Sequence, residues 1–120
     1  MILADTSVWA DHIRRGNDGL AFALARGSVV IHDFILGELL MGHIKHGSEI
    51  EQLLFDLGRS PVLPSEQVVE FIRAHRLAGA GIGWTDAHLL ASAARSGSKL
   101  WTLDKRLGVL SRKLDVAWPV

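Results

Sequence analysis

Short apolar segments that alternate with longer amphipathic ones are the feature of this sequence that most constrains its fold. Residues 2–4, 28–31 and 99–103 are mostly apolar or β-branched, as is typical of strands buried on both faces. Segments with helical periodicity lie between them, and parallel strands need crossover connections of this kind. The pattern predicts a single α/β domain over residues 1–120, with helices on both faces of a mostly parallel sheet.

Capping and turn residues indicate where the other elements begin and end. Thr6 or Ser7, Asp33 and Thr85 are the expected N-caps of three helices. The predicted helices run from the first cap to about Arg15, over 20–26, from Asp33 to about Lys45, over 49–57, from Ser65, and from Asp86 to about Ser96. Residues 61–64 are expected to form a short extended piece and residues 116–118 an edge strand. Glycines 79, 81 and 83 predict a flexible loop.

The formal net charge is zero, which argues against broad electrostatic binding of nucleic acid. The charge is unevenly distributed, however, because residues 91–120 contain six Lys or Arg and only two Asp or Glu. This last quarter is the candidate for contact with phosphate groups, and a solvated basic surface is the alternative.

The absence of cysteine excludes disulfides and thiolate metal sites. It suits a reducing compartment. The sequence shows no signal peptide and no stretch of the ~20 apolar residues that span a bilayer. We therefore expect a cytoplasmic protein.

Four acidic residues stand where α/β proteins carry functional groups. Asp5 and Asp104 each follow a predicted strand, and sites in open α/β sheets lie beyond the carboxyl ends of strands. Asp86 starts a helix after the glycine loop. Each of the three also has a structural explanation: a helix cap for Asp5, the helix dipole for Asp86 and a simple turn for Asp104.

Glu38 is the acid that is hardest to explain structurally. Helical periodicity places it on one stripe with Ile35, Leu39 and Gly42, in a helix that is apolar on several sides. A carboxylate on an apolar stripe is costly unless it is paired or coordinates a cation. A salt bridge at the rim of the domain is the alternative.

In a doubly wound sheet, Asp5, Glu38, Asp86 and Asp104 can face the same end. Four carboxylates brought together would repel one another and raise some of their pKa values, unless a cation lies among them. Mg²⁺ or Mn²⁺ fits such hard oxygen ligands. The residues by themselves therefore predict a metal-dependent phosphodiesterase.

Other kinds of site have weaker support. The spacings of His43, His46 and His88 are not those of a zinc site, and His32 is expected in the core or at its rim. The sequence contains no phosphate-binding or dinucleotide-binding glycine motif and no serine nucleophile elbow.

The segments LADTSVW, GELL, TDAHLLASA and WTLDKRL, in this order, resemble the acidic motifs of PIN-domain ribonucleases. The likeness is greatest to the VapC toxins of type II toxin–antitoxin systems and covers essentially the whole chain. It implies a PIN-like three-layer α/β/α fold with a mostly parallel five-stranded sheet. It also implies that Asp5, Glu38, Asp86 and Asp104 bind Mg²⁺ (or Mn²⁺) and catalyse the endonucleolytic hydrolysis of RNA.

The resemblance further implies supporting roles for the hydroxyl groups of Thr6, Ser7 and Thr102. Such toxins are typically homodimers, and a cognate VapB-type antitoxin blocks the site. The expected products are a 5′-phosphate and a 3′-hydroxyl.

Substrate contacts are expected from basic and aromatic residues. The candidates for binding the RNA backbone are Lys105, Arg106, Arg112 and Lys113. Trp9, Trp84 and Trp101 are candidates for stacking bases, although tryptophan at such positions is more often part of the core.

Two competing interpretations remain. A receiver-like phospho-acceptor signalling domain has the same fold class, but it needs an acidic pair after the first strand, where this chain has only Asp5. A catalytically silent PIN domain that acts as a binding module is the other. Asp33 is an additional acid near Glu38, and a role as a helix cap would explain its presence.

Overall fold

The computed structural model describes residues 1–118 and contains a five-stranded sheet between helices. The strands are β1 (Ile2–Ala4), β2 (Val29–Ile31), β3 (Gly58–Arg59), β4 (Lys99–Trp101) and β5 (Ala117–Trp118). The helices are α1 (Thr6–Arg15), α2 (Asp18–Ala25), α3 (Asp33–Gly42), α4 (Glu49–Asp56), α5 (Ser65–Ala74), α6 (Trp84–Ser96) and α7 (Lys105–Lys113). No helix within these residues is long and apolar enough to cross a membrane.

All four strand pairs of the sheet are parallel, in the order β3-β2-β1-β4-β5. Leu3 at the centre of β1 is in register with Val30 on one side and Leu100 on the other, and all three are buried. Strands β1 and β2 are wholly apolar and buried because helices cover both of their faces. The predicted three-layer α/β fold with a parallel five-stranded sheet is confirmed.

The direction in which strands are added to the sheet reverses between β1 and β4. Ligands of open α/β sheets bind at such a switch point, beyond the carboxyl ends of the strands. The order also differs from the 2-1-3-4-5 order of flavodoxin-like receiver domains. Asp5 lies at this reversal, where its backbone N–H donates to the carbonyl of Trp101 at the end of β4.

Several predicted boundaries were wrong, for reasons of local chemistry. The extended piece expected at 61–64 is not a strand, because Pro61 and Pro64 lack the N–H groups that a ladder needs. The strand forms earlier, at Gly58–Arg59, and Ser60 N–H extends it by donating to Ile31 at 2.8 Å.

Three helix ends also differ from the prediction. Helix α3 ends at Gly42 rather than near Lys45. Its N-cap is His32 rather than Asp33, because Nδ1 of His32 accepts the N–H of Phe34 at 3.0 Å. Helix α6 begins at Trp84, two residues before the predicted start, after an extended Gly83 that supplies no side-chain cap. Thr85 therefore lies in the first turn and does not cap the helix.

Candidate functional site

Four acidic side chains from separate elements line one pocket of about 450 Å³ at the switch point of the sheet. Asp5 follows β1, Asp104 precedes α7, Asp86 lies in the first turn of α6, and Glu38 lies on α3. The pocket is lined by Asp5, Thr6, Ser7, Glu38, Gly83, Trp84, Thr85, Asp86, Leu89 and Asp104. The structure thus brings the four predicted acids around a single cavity.

Asp5 and Asp104 are also the N-caps of the helices that follow them. Oδ1 of Asp5 accepts the N–H of Val8 at 3.3 Å, and Oδ1 of Asp104 accepts the N–H of Leu107 at 2.9 Å. The expectation that Thr6 or Ser7 would cap α1 and leave Asp5 free was wrong. Capping uses Oδ1 of each acid, so Oδ2 of each can serve another partner.

Burial raises the pKa of Asp5, whose side chain and backbone together are only 6% exposed. Hydrogen bonds from Ser7, from Thr102 and from backbone N–H groups lower that pKa and partly offset the effect of burial. A carboxylate that is both buried and supplied with donors is held in one orientation at the bottom of the pocket.

Three hydroxyl groups support the acids of the pocket. Thr6 donates to Oε1 of Glu38 at 2.5 Å, and Ser7 donates to Oδ1 of Asp5 at 2.5 Å. The hydroxyl oxygen of Thr102 accepts the backbone N–H of Asp104 at 3.0 Å. These are the hydroxyls that the sequence motifs singled out, and each contacts a carboxylate or its backbone.

Glu38 lies at the pocket for a different reason from the one its sequence position suggested. The buried side of α3 consists of Ile35, Leu36 and Leu39, whereas Glu38 is exposed. The inference that its carboxylate interrupts a buried apolar stripe was wrong, because Glu38 and the preceding Gly37 both lie on the exposed side of the helix. Glu38 instead reaches the cavity from the rim, held by Thr6.

Asp86 shows the electrostatic consequence of crowding the acids. Burial raises its pKa most, and the negative charges of Asp5, Asp104 and Glu38 raise it further, whereas a hydrogen bond from the backbone of Gly83 lowers it. A cation that bound among these groups would remove the repulsion.

The donors of the pocket fit a hard divalent cation in their chemistry, since all four are carboxylates. As the side chains stand, no three His, Asp or Glu groups among residues 1–118 are close enough to hold one ion together. Mg²⁺ does not need such a cage, because it usually keeps several waters and binds through one or two carboxylates plus substrate phosphate.

A basic groove of about 780 Å³ adjoins the acidic pocket and shares Asp104 with it. The four basic residues predicted to bind RNA all line this groove along α7: Lys105, Arg106, Arg112 and Lys113. Arg106 additionally lies across Gly81, and its Nη1 approaches the carbonyl of Ala80 at 3.5 Å. The basic end of the chain therefore borders the acids directly.

The histidines do not form a metal site in the described part of the chain. His32 and His88 are buried, 6.2 Å apart between ring centroids, and each has one buried nitrogen without a hydrogen-bond partner. Since Nδ1 of His32 accepts from Phe34, its proton is on Nε2, which therefore cannot also donate electrons to a metal. Both rings are core residues.

The three tryptophans proposed to stack bases differ in their accessibility. Trp9 is completely buried, and Trp101 is half-buried against Gly19. Trp84 is 45% exposed at the rim of the acidic pocket.

Comparisons with known proteins agree with this geometry. The family model described as PIN domain matches residues 2–113. The chain is 38% identical over 118 residues to Ribonuclease VapC32 from two strains of Mycobacterium tuberculosis, CDC 1551 / Oshkosh and ATCC 25618 / H37Rv. That alignment covers 98% of this chain and 95% of the relative.

Two solved structures share the fold. FitAcB from Neisseria gonorrhoeae superposes with a TM-score of 0.68 at 21% identity, covering 100% of both chains. PAE2754 from Pyrobaculum aerophilum gives a TM-score of 0.53 at 15% identity, covering 95% of this chain and 88% of the other.

Proposed function

This chain belongs to the PIN-domain family, among the relatives of the VapC ribonucleases, and from that membership we propose that it is a metal-dependent endoribonuclease and the toxin of a type II toxin–antitoxin pair. One observation carries the proposal. Four carboxylates from four elements line a single pocket, and that pocket shares Asp104 with a basic groove. An acidic centre beside a cationic track suits the cleavage of a polyanionic strand.

Asp5, Glu38, Asp86 and Asp104 are the residues that would hold Mg²⁺ or Mn²⁺. The raised pKa values support this assignment: burial raises the pKa of Asp5, and burial together with the neighbouring carboxylates raises that of Asp86. A cation at the pocket would offset both effects. When bound, the ion would supply Lewis-acid polarisation of the phosphodiester and a lowered pKa for the attacking water.

The chain itself supplies orientation. Ser7 and Thr102 hold Asp5, and Thr6 holds Glu38, so two of the carboxylates meet the substrate in set positions. In our proposal the reaction is an in-line attack of water on phosphorus, which breaks the P–O3′ bond and leaves a 5′-phosphate and a 3′-hydroxyl. It needs no 2′-hydroxyl as nucleophile.

Lys105, Arg106, Arg112 and Lys113 would bind the RNA backbone in the groove beside Asp104. Their charges would offset the repulsion that phosphates meet at an acidic pocket. All four are exposed along one helix and can therefore reach the strand without a change of fold.

The proposed partners are a VapB-type antitoxin that covers the pocket and a second copy of this chain. Large apolar side chains that do not line the acidic pocket remain exposed, among them Met41 at 89%, Phe22 at 65% and Phe55 at 49%. Exposed apolar residues of this size support protein–protein contact, without indicating which partner covers each.

The test uses asparagine at the two capping acids. Asp5→Asn and Asp104→Asn remove a charge but keep a good N-cap, so helices α1 and α7 should stay intact. We expect Mg²⁺- or Mn²⁺-dependent cleavage of total RNA by the unmodified protein, and a loss of about a hundred-fold or more in each variant. Asp33→Asn is the matched control, because Asp33 pairs with Arg59 and does not line the pocket.

Full cleavage in the presence of EDTA would refute the metal-dependent mechanism. Absence of cleavage under all metal conditions by a folded, RNA-binding protein would favour the catalytically silent binding module. Sequencing of the 5′ ends identifies the cut sites. Expression without the antitoxin should arrest growth, and co-expression of the antitoxin should restore it.

A further inference from the structure

A small apolar hollow lies next to the acidic pocket and shares Trp84 with it. The hollow has a volume of about 190 Å³ and is lined, besides Trp84 and two glycines, by Ile72, Leu77, Ala78, Ile82 and Ala87. None of these side chains carries a charge. The hollow therefore suits an apolar, uncharged group rather than a phosphate or a metal ion.

Trp84 is the wall between the two cavities and is held in a defined orientation. It is the first residue of α6, and its ring meets the buried ring of His88 edge-to-face, with centroids 4.6 Å apart and planes at 85°. Since 45% of its surface remains exposed, the indole is positioned but not covered. Aromatic rings presented in this way stack the unpaired bases of single-stranded RNA.

The three cavities form a continuous series along the surface. The basic groove shares Asp104 with the acidic pocket, and the acidic pocket shares Trp84 with the hollow. A nucleic-acid strand presents charged phosphates and apolar bases in the same alternation. A strand with phosphates in the groove and one phosphodiester at the acids would bring a neighbouring base to Trp84.

We propose that Trp84 and the apolar hollow form a nucleobase subsite, which holds one unpaired base beside the scissile phosphate; the identity of the scissile centre rests on the function proposed above. The base stacks on the indole and enters the hollow edge-on. This subsite selects single-stranded RNA and contributes to the choice of cleavage site. An apolar side chain of a protein partner is the competing occupant.

Binding is measured separately from cleavage. The unmodified protein and Trp84→Leu are each titrated, in EDTA, with short single-stranded RNA homopolymers of each base. Each titration gives the quenching of tryptophan fluorescence and the dissociation constant. We expect Trp84→Leu to lose most of the quenching and to bind at least one homopolymer roughly ten-fold more weakly. Trp118→Leu is the matched control, since Trp118 is also half-exposed, at 38%, but lines neither cavity.

A second variant fills the hollow without altering the indole. Ala78 is exposed at its edge, so Ala78→Leu should fold normally and weaken the same homopolymer. In cleavage assays with metal, both variants should change the base preference next to the mapped cut sites while Trp118→Leu does not.

The proposal is overturned if Trp84→Leu and Ala78→Leu both bind every homopolymer with the affinity of the unmodified protein and also cut RNA at the same positions. It is equally overturned if they leave RNA binding unchanged but weaken the complex with the co-expressed antitoxin, because the hollow then holds a protein side chain. Failure of the unmodified protein to cleave RNA would refute the nuclease function, whereas the titrations in EDTA still report on base binding.

Discussion

Ser7 donates a hydrogen bond from its hydroxyl to Oδ1 of Asp5 at 2.5 Å, and its oxygen accepts the backbone N–H of Leu103 at 2.9 Å. Leu103 directly precedes Asp104. One side chain on α1 therefore connects the acid that follows β1 with the acid that precedes α7, across the switch point of the sheet. Loss of this hydroxyl should disturb the relative position of the two acids more than it disturbs the fold.

The first prediction concerns this connection. Ser7→Ala should lower RNA cleavage by about 10- to 100-fold, which is typical when a group that orients a metal ligand is removed. Ser7→Thr, which keeps a hydroxyl, should restore part of the activity. Ser96→Ala is the control, because Ser96 is an exposed serine near the end of α6. Equal activity of Ser7→Ala and Ser96→Ala would show that Ser7 has no orienting role.

The second prediction concerns the loop before α6. Gly79 and Gly81 both have positive φ, at +75° and +87°, but only at Gly81 would a Cβ meet the Arg106 side chain, with Cδ at 2.6 Å. Gly79→Ala should cost about 1–2 kcal/mol of unfolding free energy from backbone strain alone. Gly81→Ala should cost more and should also reduce kcat, because the collision displaces the loop that leads into α6, where Asp86 lies in the first turn.

A double-mutant cycle separates strain from collision at Gly81. Urea unfolding and kcat are compared for Gly81→Ala, Arg106→Ala and the double variant. We expect Arg106→Ala to relieve the collision. The unfolding free energy and kcat of the Gly81→Ala/Arg106→Ala variant should then match those of a Gly79→Ala/Arg106→Ala variant. Strict additivity of the two single effects would mean that the Arg106 side chain does not press on this loop.

The layers of the fold and the positions of Asp5 and Asp104 could be predicted from the sequence, because both depend on local signals. Apolar runs such as Ile2–Ala4 are visible without any tertiary information, and an acid directly after such a run lies at the end of a strand. Helix α7 also had a visible signal, since Asp104 precedes Leu107, Leu110 and Leu114 at helical spacing. No helix was predicted there, because a turn was the only structural role proposed for Asp104 beside its role in the site.

Other features depend on contacts between distant residues and could not be read locally. The exposure of Glu38 follows from which side of α3 packs against the core, and several sides of that helix are apolar. The ring of His32, whose Nδ1 caps α3, packs against the ring of His88 on α6, and this contact between distant residues cannot be read from the sequence around His32. The hollow beside Trp84 is formed jointly by α5, the glycine loop and α6.

The third prediction concerns the basic groove. Arg112→Ala and Lys113→Ala should raise KM for RNA with little change in kcat, because these exposed residues lie away from the acids along α7. Each should reduce the slope of log KM against log salt concentration by about 0.7, the value for one phosphate contact on a single strand. Arg26→Ala, at the end of α2, is the control, since Arg26 lies over Phe22 rather than in the groove. An unchanged salt slope in both variants would exclude α7 as the backbone track.

The fourth prediction concerns pH and the buried His32. The pKa of His32 is lowered from 6.5 to about 4, chiefly by burial and also by the charge of His88, whereas the charge of Asp33 raises it. Between these two values the unfolded chain binds a proton that the folded chain does not. Above pH 6.5 the ring is neutral in both states and does not reduce the free energy of unfolding. As the pH falls from 6.5 towards about 4, protonation of His32 in the unfolded chain lowers the free energy of unfolding progressively. The expected loss is about 3 kcal/mol, since one pKa unit corresponds to 1.36 kcal/mol.

The measurement is the unfolding free energy from urea titrations across this pH range, for the unmodified protein and for His32→Asn. Asparagine also caps helices well, so α3 keeps its N-cap while the titrating ring is removed. Asp5 and Asp86 have raised pKa values and become relatively stabilising as the pH falls, so they oppose the trend in both proteins. The difference between the two pH profiles isolates His32.

His32→Asn should be less stable at neutral pH because the smaller side chain leaves a cavity, yet it should lose less stability on acidification. Parallel profiles would mean that His32 becomes protonated without unfolding, and that the contact between α3 and α6 tolerates a charge at this position.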